Sequence, residues 1–299
     1  RYPIESDSID NFEVFMEFQD YSTIYFNELL LKNNDVNSLG KIKINNDYKI
    51  TVITNEIRHE LKLQFTNLPI VQVITHNQIL DEPKTLARII VNYPSFTRNA
   101  ITSYIGLEYR GLTSLQYSKK SFSFSFLNSC YTNNQVSKSV FDLPKNSDWI
   151  LDAMYIDKSR IRNKVSFKIW EDMGGGKHYG INSNFVELYI NNEHQGLYCF
   201  NENINAELLG LFDNNAVLYK AIGWTGTTFE TYSQDIPTSK YWDGWEQKFP
   251  NPRDKIYWEP LAYLRDLVVK RNDDEFISQI NDIIDVDNLI DYYIFLNLI

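Results

Sequence analysis

Polar and apolar residues alternate over much of the N-terminal third of the chain, which is the pattern of half-buried β-strands. The alternation occurs at residues 12–18 and again at 41–44 and 48–52, and the last two segments flank an Asn-Asn-Asp sequence. Two such segments around a turn predict a β-hairpin. Pro69 interrupts the pattern just before another apolar run. We therefore place a boundary near residue 67 and predict a small β module over residues 1–67.

The β pattern continues beyond this boundary. Residues 87–92, 105–110 and 121–126 are predicted strands, and in the last of them phenylalanine alternates with serine. Its three phenylalanines share one face, which we expect to be buried. Two further strands, at 185–190 and 196–200, are joined by an Asn-Asn-Glu sequence that predicts a second hairpin with a tight turn.

A helical pattern begins at residue 157. Ile161, Val165 and Ile169 recur every four positions within residues 157–172, which predicts an amphipathic helix with Asp157 as its N-cap. The other predicted helices are 258–271, 274–284 and the residues from Asp287 onward. Strands followed by helices indicate the α+β class.

The last predicted helix begins with Asp285 or Asp287 available as a cap and continues as an apolar run to Ile299. It reaches Ile299 without a glycine, a proline or a basic final turn, which are the usual signals of a helix end. We expect that the natural polypeptide continues past Ile299 and covers this helix. The alternative is a terminal helix that docks on the core of the domain.

Composition narrows the classes of function. The chain has 29 Lys plus Arg and 39 Asp plus Glu, a formal net charge of −10, which argues against a nonspecific nucleic-acid binder. Its two cysteines and four histidines show no metal-ligand spacing. No apolar run reaches the roughly 18 residues that a membrane helix needs. We therefore predict neither a nucleic-acid partner nor a membrane span.

A loop with the composition of a phosphate site separates two of the predicted strands. It contains Gly111, the hydroxyl side chains of Thr113 and Ser114, and the adjacent Lys119 and Lys120. Backbone N–H groups, hydroxyls and ammonium groups together hold phosphate oxygens in many proteins. The alternative is an ordinary hairpin whose lysines are solvated, and the sequence leaves both interpretations open.

Charged residues elsewhere are further candidates. Arg162 belongs to a group of cations on the predicted helix, which could meet a nucleotide or a phosphorylated substrate. The alternative is a solvated helix face on which Lys168 pairs with Glu171 or Asp172.

Glu187 and Glu202 are carboxylates with apolar neighbours, and either could orient a lysine or a base. Alternation nevertheless places Glu187 on the face opposite Val186, where solvent is the commoner neighbour. Hydrolase and zinc-protease motifs are absent from the sequence, which leaves phosphate chemistry or binding.

Several separated segments together resemble one family, the CotH kinase family, whose members are similar to atypical secreted protein kinases. Residues 68–73 resemble the opening strand of that family. Residues 108–122 resemble its Arg-Gly, Ser-rich and Pro-Lys-Lys-aromatic segment, with Ser118 in place of the usual proline. Residues 148–163 are similar to its Trp-x-Leu and Asp-Lys-x-x-x-Arg-Asn segments, and residues 185–198 match most specifically.

The resemblance implies a kinase-like domain over residues 68–299, with a β-rich N-lobe and a helical C-lobe that is incomplete in this chain. It implies that Lys120, with Lys119 beside it, reaches nucleotide phosphates, and that Glu202 lies near the interlobe hinge. The residues that it assigns to nucleotide binding are Arg110, Gly111, Thr113, Ser114, Lys119, Lys120 and Glu202. The supporting residues are Asp157, Arg162, Asn163 and Glu187.

The same resemblance implies ATP and Mg²⁺ or Mn²⁺ as cofactors. The acidic catalytic and metal-binding segments of the family follow the helix that reaches Ile299. We therefore expect the catalytic residues and metal ligands beyond Ile299, and we expect this chain by itself to be inactive. Where the family has Thr-Glu-Lys-Ile, the chain has Asn201-Glu202-Asn203-Ile204 and lacks the lysine.

The resulting hypothesis is an extracellular or cell-surface kinase-like protein that transfers the γ-phosphoryl group of ATP to Ser or Thr of an exported or surface protein. The alternative is a noncatalytic surface or spore-coat-type assembly protein that keeps the fold and binds a partner. The departures at Ser118 and Asn203 support this alternative.

Overall fold

The computed structural model describes residues 1–95, 97–130, 134–213, 215–223, 227, 229, 235–270 and 272–299. The chain divides into two compact units. The first comprises Arg1–Phe141, Trp149–Ile156 and Ser183–Asn201, and the second comprises Asp142–Asp148, Asp157–Asn182 and Glu202–Ile299. The predicted α+β class is confirmed, and strands predominate in the described part of the chain.

The N-terminal part of the first unit consists of short strands around a small core. The strands are β1 (Tyr2–Pro3), β2 (Ser8–Ile9), β3 (Glu13–Met16), β4 (Ser22–Phe26), β5 (Leu29–Leu30), β6 (Asp35–Ser38), β7 (Ile42–Lys43), β8 (Asp47–Thr54) and β9 (Ile57–Thr66). One sheet has the order β1-β9-β8-β4-β5, while β2 pairs with β7 and β3 pairs with β6. Ile4, Phe12 and Phe65 lie at the centre of the buried cluster between them.

The hairpin predicted around the Asn-Asn-Asp sequence is wrong. Strand β7 pairs with β2, and β8 pairs with β4 and β9. Ile42 is fully buried in the small core, and β8 forms a ladder along its whole length with β9. The longer ladder satisfies more backbone N–H and C=O groups than a pairing with the two-residue β7 would.

A closed barrel follows along the chain. Its strands are β10 (Ile70–Ile74), β11 (Thr85–Asn92), β12 (Ile101–Arg110), β13 (Ser121–Leu127), β14 (Asp148–Asp152), β15 (Ser183–Ile190) and β16 (Glu193–Glu202). Their order around the barrel is β10-β11-β12-β13-β14-β16-β15, and a parallel pairing of β10 with β15 closes it. The sequence analysis predicted most of these strands but not their closure into a barrel.

Aromatic side chains fill the barrel. The prediction for the Phe-Ser strand is confirmed, because Phe122, Phe124 and Phe126 are all buried. The ring centroid of Phe124 lies 5.6 Å from that of Phe200, and the Trp149 centroid lies 5.2 Å from Phe200. This packing supplies much of the apolar burial of the first unit.

The predicted hairpin between β15 and β16 is confirmed. Asn191 and Asn192 have φ values of 50° and 68°, so both lie in the left-handed region that a type I′ turn requires. Asparagine tolerates this region better than most residues. The Asn191 side chain also accepts a hydrogen bond from the backbone N–H of Thr75 at 2.9 Å, which ties the turn to the end of β10.

The second unit contains the helices. Its elements, apart from the barrel strand ends, are α1 (Arg162–Met173), β17 (Leu218–Ala221), β18 (Tyr241–Trp242), β19 (Trp245–Phe249), α2 (Glu259–Lys270), α3 (Asp273–Ile283) and α4 (Val286–Leu298). Asp285 caps α4, since its carboxylate accepts a hydrogen bond from the N–H of Asn288 at 3.0 Å. The predicted end of α2 at Arg271 lies outside the described residues. No described helix combines the length and apolar character needed to cross a membrane.

Two predictions about α1 are wrong. The helix begins at Arg162 rather than at residue 157, because Arg160 has a φ of 63°, which is incompatible with a right-handed helix. The predicted apolar face is exposed, with 48% of Ile161 and 44% of Val165 accessible. Trp170 packs inward instead, against Phe295 of α4. An indole buries more area than a β-branched side chain and so decides which face is covered.

Replacement of Phe124 by Ala tests the barrel core. We expect the free energy of unfolding to fall by about 3–5 kcal/mol, because the substitution leaves a cavity among the barrel aromatics. Urea denaturation monitored by tryptophan fluorescence measures this change. Phe15→Ala is the matched control, since Phe15 is 59% exposed, and it should change stability by less than about 0.5 kcal/mol. Equal losses in the two variants would contradict the assignment of Phe124 to the core.

Candidate functional site

The loop between β12 and β13 begins at Gly111, whose backbone requires glycine. Its φ is 124°, and a Cβ atom there would lie 1.7 Å from the Oγ of Ser114. A short 3₁₀ helix, Thr113–Gln116, follows. The Ser114 hydroxyl donates to the carbonyl of Arg110 at 3.4 Å. Arg110, Gly111 and Thr113 are exposed, and Ser114 is half-buried.

Lys120 folds back onto this loop. Its Nζ donates to the carbonyl of Leu115 at 2.5 Å and to that of Tyr117 at 2.6 Å. The hydroxyl of Tyr198, on β16, donates to the Lys120 carbonyl at 2.9 Å. The side chain and the backbone of Lys120 are thus both fixed, and the two bonds use two of the three N–H donors of its ammonium group.

Lys119 points to the barrel wall. Its Nζ donates to the carbonyls of Ala153 at 3.1 Å and Leu197 at 2.5 Å. The same ammonium lies 4.1 Å from the centroid of the Tyr198 ring, within cation–π range. Burial, with a smaller contribution from the carboxylate of Asp152, raises the pKa of the Tyr198 hydroxyl, which therefore stays protonated at neutral pH.

The two lysines line one cavity of about 420 Å³ in the first unit. Its described lining residues are Ile79, Tyr109, Ser118, Lys119, Lys120, Phe122, Ile190, Asn191, Glu193, Gln195 and Tyr198. The structure therefore brings Lys119 and Lys120 together at a concave surface with hydroxyl and amide groups. Arg110, Gly111, Thr113 and Ser114 are not among the described lining residues, and their role in nucleotide binding stays a prediction.

Glu187 lies on the outer face of the barrel, as alternation predicts, but the expectation of solvent around it is wrong. Only 4% of the residue is exposed. Its carboxylate forms an ion pair with the guanidinium of Arg1, and its Oε2 lies 2.5 Å from Nε2 of His194. Arg1, the residue before β1, pairs with this side chain from the far end of the sequence, and that contact has no local sequence signal.

Glu202 is a buried carboxylate in the second unit. It is fully buried, and its Oε2 accepts a hydrogen bond from the backbone N–H of Asn182 at 2.9 Å. Its Oε1 has no hydrogen-bond partner among the described residues. Burial raises the pKa of this carboxyl, while the hydrogen bonds from Asn182 oppose the rise. The position of Glu202 near an interlobe hinge stays a prediction.

The three supporting residues before and within α1 have different environments. The Asp157 carboxylate accepts hydrogen bonds from the hydroxyl and N–H of Ser159 and from the N–H of Arg162. Those bonds, led by the one from the Ser159 hydroxyl, lower the pKa of Asp157 to about 2. Asp157 thus organises the turn that precedes α1, whereas the side chain of Arg162 is 82% exposed and Asn163 is exposed as well.

The described residues do not form a metal site. Among them, no group of three or more His, Cys, Asp or Glu side chains could hold a metal ion. Cys130 is half-buried and Cys199 is buried, and neither forms a disulfide within the described residues. The described side chains therefore do not fit Mg²⁺ or Mn²⁺.

Tyr198 is a site residue that the sequence analysis did not single out. It contacts both lysines, through its ring and its hydroxyl. One signal was present, because Tyr198 alternates with Phe200 on the inner side of a predicted strand. Its hydroxyl partner lies 78 positions away, and no local pattern predicts that contact.

A mixed α+β fold with paired lysines at a concave surface is compatible with a phosphate-binding protein. The family model described as CotH kinase protein matches residues 107–299, which is more than half of the chain. This chain belongs to the CotH kinase family. A comparison with curated proteins gave no match.

Tyr198→Phe tests the contact between β16 and the lysine loop. We expect stability to fall by about 1 kcal/mol, because the Lys120 carbonyl loses a hydrogen bond while the ring is retained. Chemical denaturation measures the change. Tyr109→Phe is the control, since the Tyr109 hydroxyl has no hydrogen-bond partner within the described residues, and it should leave stability unchanged. A loss in the control as large as that in Tyr198→Phe would refute the assignment.

Glu202→Gln tests the buried carboxyl. Because the folded pKa lies above the ordinary 4.5, the contribution of Glu202 to stability is full below that pH and declines as pH rises through the folded pKa. The variant should lose this decline and become less sensitive to pH above 4.5. Unfolding free energy measured against pH checks this. Glu207→Gln, at an exposed position, should retain the wild-type profile. A wild-type profile in Glu202→Gln would contradict the assignment.

Proposed function

We propose that this protein is a kinase-like protein that transfers the γ-phosphoryl group of ATP to Ser or Thr hydroxyls of an exported or cell-surface protein. Its membership of the CotH kinase family carries this proposal. Family membership suggests the use of ATP, a divalent metal ion and a protein substrate. We further propose an extracellular or cell-surface location, in keeping with the resemblance to secreted kinases.

The cavity at Lys119 and Lys120 supports nucleotide binding. Two ammonium groups lie at one concave surface, in a protein whose net charge of −10 would otherwise repel a triphosphate. One N–H of Lys120 remains available for a phosphate oxygen after its two carbonyl contacts. Ser118 and the amides of Asn191 and Gln195 supply further donors along the same cavity.

The proposal assigns nucleotide binding, and not the transfer step, to the described residues. Phosphoryl transfer uses a divalent metal to bridge and neutralise the phosphates, and an aspartate to orient the attacking hydroxyl. No described cluster of carboxylates fits such an ion. The role of Lys119 and Lys120 is accordingly to hold and orient phosphate oxygens.

A second candidate function is noncatalytic assembly at a surface or in a spore coat. The observation that favours it is that both lysines donate hydrogen bonds to backbone carbonyls of the protein itself. Each ammonium donates to two backbone carbonyls. Lysines that satisfy buried carbonyls stabilise a fold without any ligand, so a protein that keeps the fold and only binds a partner would retain them.

Titration of the chain with ATP and Mn²⁺, or ATP and Mg²⁺, separates the two candidates. We expect saturable binding that Lys120→Ala weakens about tenfold or more, because a charge-assisted hydrogen bond contributes about 1.5–3 kcal/mol. Isothermal titration calorimetry measures the affinity. Lys32→Ala removes an exposed cation of the N-terminal sheet region and should bind ATP like the wild type.

Two results would favour assembly over catalysis. One is the absence of nucleotide binding with either metal ion. The other is equal affinity in the wild type and in a Lys120→Ala protein whose circular dichroism spectrum is native.

A further inference from the structure

A second cavity, of about 630 Å³, lies on the outer face of the barrel. Residues of β11, of β12, of the end of β13 and of the segment that follows β13 surround it. Its described lining residues are Arg88, Thr102, Ser103, Tyr104, Leu127, Asn128, Val136, Ser137 and Lys138. None of these residues lines the cavity of Lys119 and Lys120 in the part of the chain that the structure describes.

The charge of this lining is unusual for the protein. Asp and Glu outnumber Lys and Arg by 39 to 29 in the chain, yet the described lining contains two cations and no carboxylate. A cavity with this composition attracts anions at short range, although the protein as a whole is acidic. Salt screens the repulsion from distant charges beyond about 10 Å, so the local cations dominate at the cavity.

Neither cation of this lining has a counter-charge among the described residues. Arg88 lies on the exposed side of β11, between the buried Ala87 and Ile89, and opposite Tyr104 in the ladder with β12. Neither Arg88 nor Lys138 forms an ion pair with any residue that the structure describes. The Lys138 ammonium lies 5.9 Å from the centroid of the Phe126 ring. By contrast, exposed cations of the N-terminal sheet form ion pairs, as Arg58 does with Glu60.

The rest of the lining supplies neutral hydrogen-bonding groups. Thr102, Ser103, Tyr104 and Ser137 carry hydroxyls, and Asn128 carries an amide. Hydroxyl and amide donors complement the oxygens of a phosphate or a carboxylate, and a guanidinium binds such an oxyanion in bidentate fashion. The lining therefore matches an oxyanion in both charge and hydrogen bonding.

We infer that this cavity docks an acidic segment of a partner polypeptide, through a phosphoserine, phosphothreonine, aspartate or glutamate side chain. The cavity is far larger than one phosphate group, and its lining is mostly polar, as at the rim of a protein–protein interface. The described lining has two cations, whereas nucleic-acid sites neutralise many phosphates. A polypeptide segment with one anionic side chain, bound by Arg88 and Lys138, fits the size, polarity and charge of the cavity.

The inference stands apart from the proposed nucleotide site, because the two cavities have no described lining residue in common. Docking of an acidic segment requires neither ATP nor transfer of a phosphoryl group. The test therefore uses variants of the two cavities in parallel.

The experiment measures fluorescence anisotropy of labelled Gly-rich peptides with the whole chain. The peptides are identical except for one central residue, which is phosphoserine, aspartate or alanine. We expect the phosphoserine and aspartate peptides to bind more tightly than the alanine peptide, and inorganic phosphate to compete with both. Preference between phosphoserine and aspartate distinguishes a phosphorylated partner from a carboxylate-rich one.

The double variant Arg88→Gln with Lys138→Gln should weaken binding of the anionic peptides by about tenfold or more. Glutamine keeps much of each aliphatic stem, so the fold should be retained. Arg58→Gln with Lys62→Gln is the control, because it removes the same charge from exposed residues of β9. That control, and Lys120→Ala, should bind the peptides as the wild type does.

Three results would overturn the inference. They are equal binding of the alanine peptide, unchanged binding in the Arg88–Lys138 double variant, and loss of peptide binding in Lys120→Ala. The last result would assign peptide binding to the lysine loop. Failure of ATP to bind in the separate titration would reject the nucleotide site and leave this inference intact.

Discussion

Closure of the barrel depends on one parallel pairing, in which residues 70–73 of β10 lie beside residues 187–190 of β15. These strands are distant in sequence, so the pairing costs loop-closure entropy before any contact forms. The aromatic side chains inside the barrel, with Phe124 and Phe200 among them, offset this cost through the apolar area that they bury. Side chains alternate along each strand, so β11 buries Ala87 and Ile89 and places Arg88 on the exposed side of the barrel wall.

The parts of the fold that could be predicted are those whose signal is local. The alternation at 121–126 shows which face of β13 is buried, and two adjacent asparagines mark the turn between β15 and β16. The prediction of a hairpin around the Asn-Asn-Asp sequence was wrong because β8 pairs along its whole length with β9, and a local pattern does not show that pairing. The prediction of which face of α1 is buried was wrong, because a count of β-branched residues does not show that Trp170 packs against His178 and Phe295. In both cases, tertiary contacts rather than the local sequence pattern decided which residues pair or pack together.

The candidate site was predictable to a similar degree. The adjacency of Lys119 and Lys120 after a glycine-containing loop is visible in the sequence, and the structure places both at one cavity. The carbonyl groups that accept their hydrogen bonds could not be predicted, since Lys119 donates to the backbone of Leu197, 78 positions away. Backbone acceptors carry no residue-type signal at all. Arg88 lies on β11 and Lys138 in the segment that follows β13, and only the tertiary fold shows that both line one cavity.

The position of Cys199 has a practical consequence. The residue is 3% exposed and follows Tyr198 in the strand that completes the barrel wall, whereas Cys130 is half-buried. An alkylating reagent reaches a buried thiol only after the surrounding structure opens. The labelling rate of Cys199 therefore reports how often β16 separates from its neighbours under native conditions, and Cys130 in the same molecule supplies the reference rate.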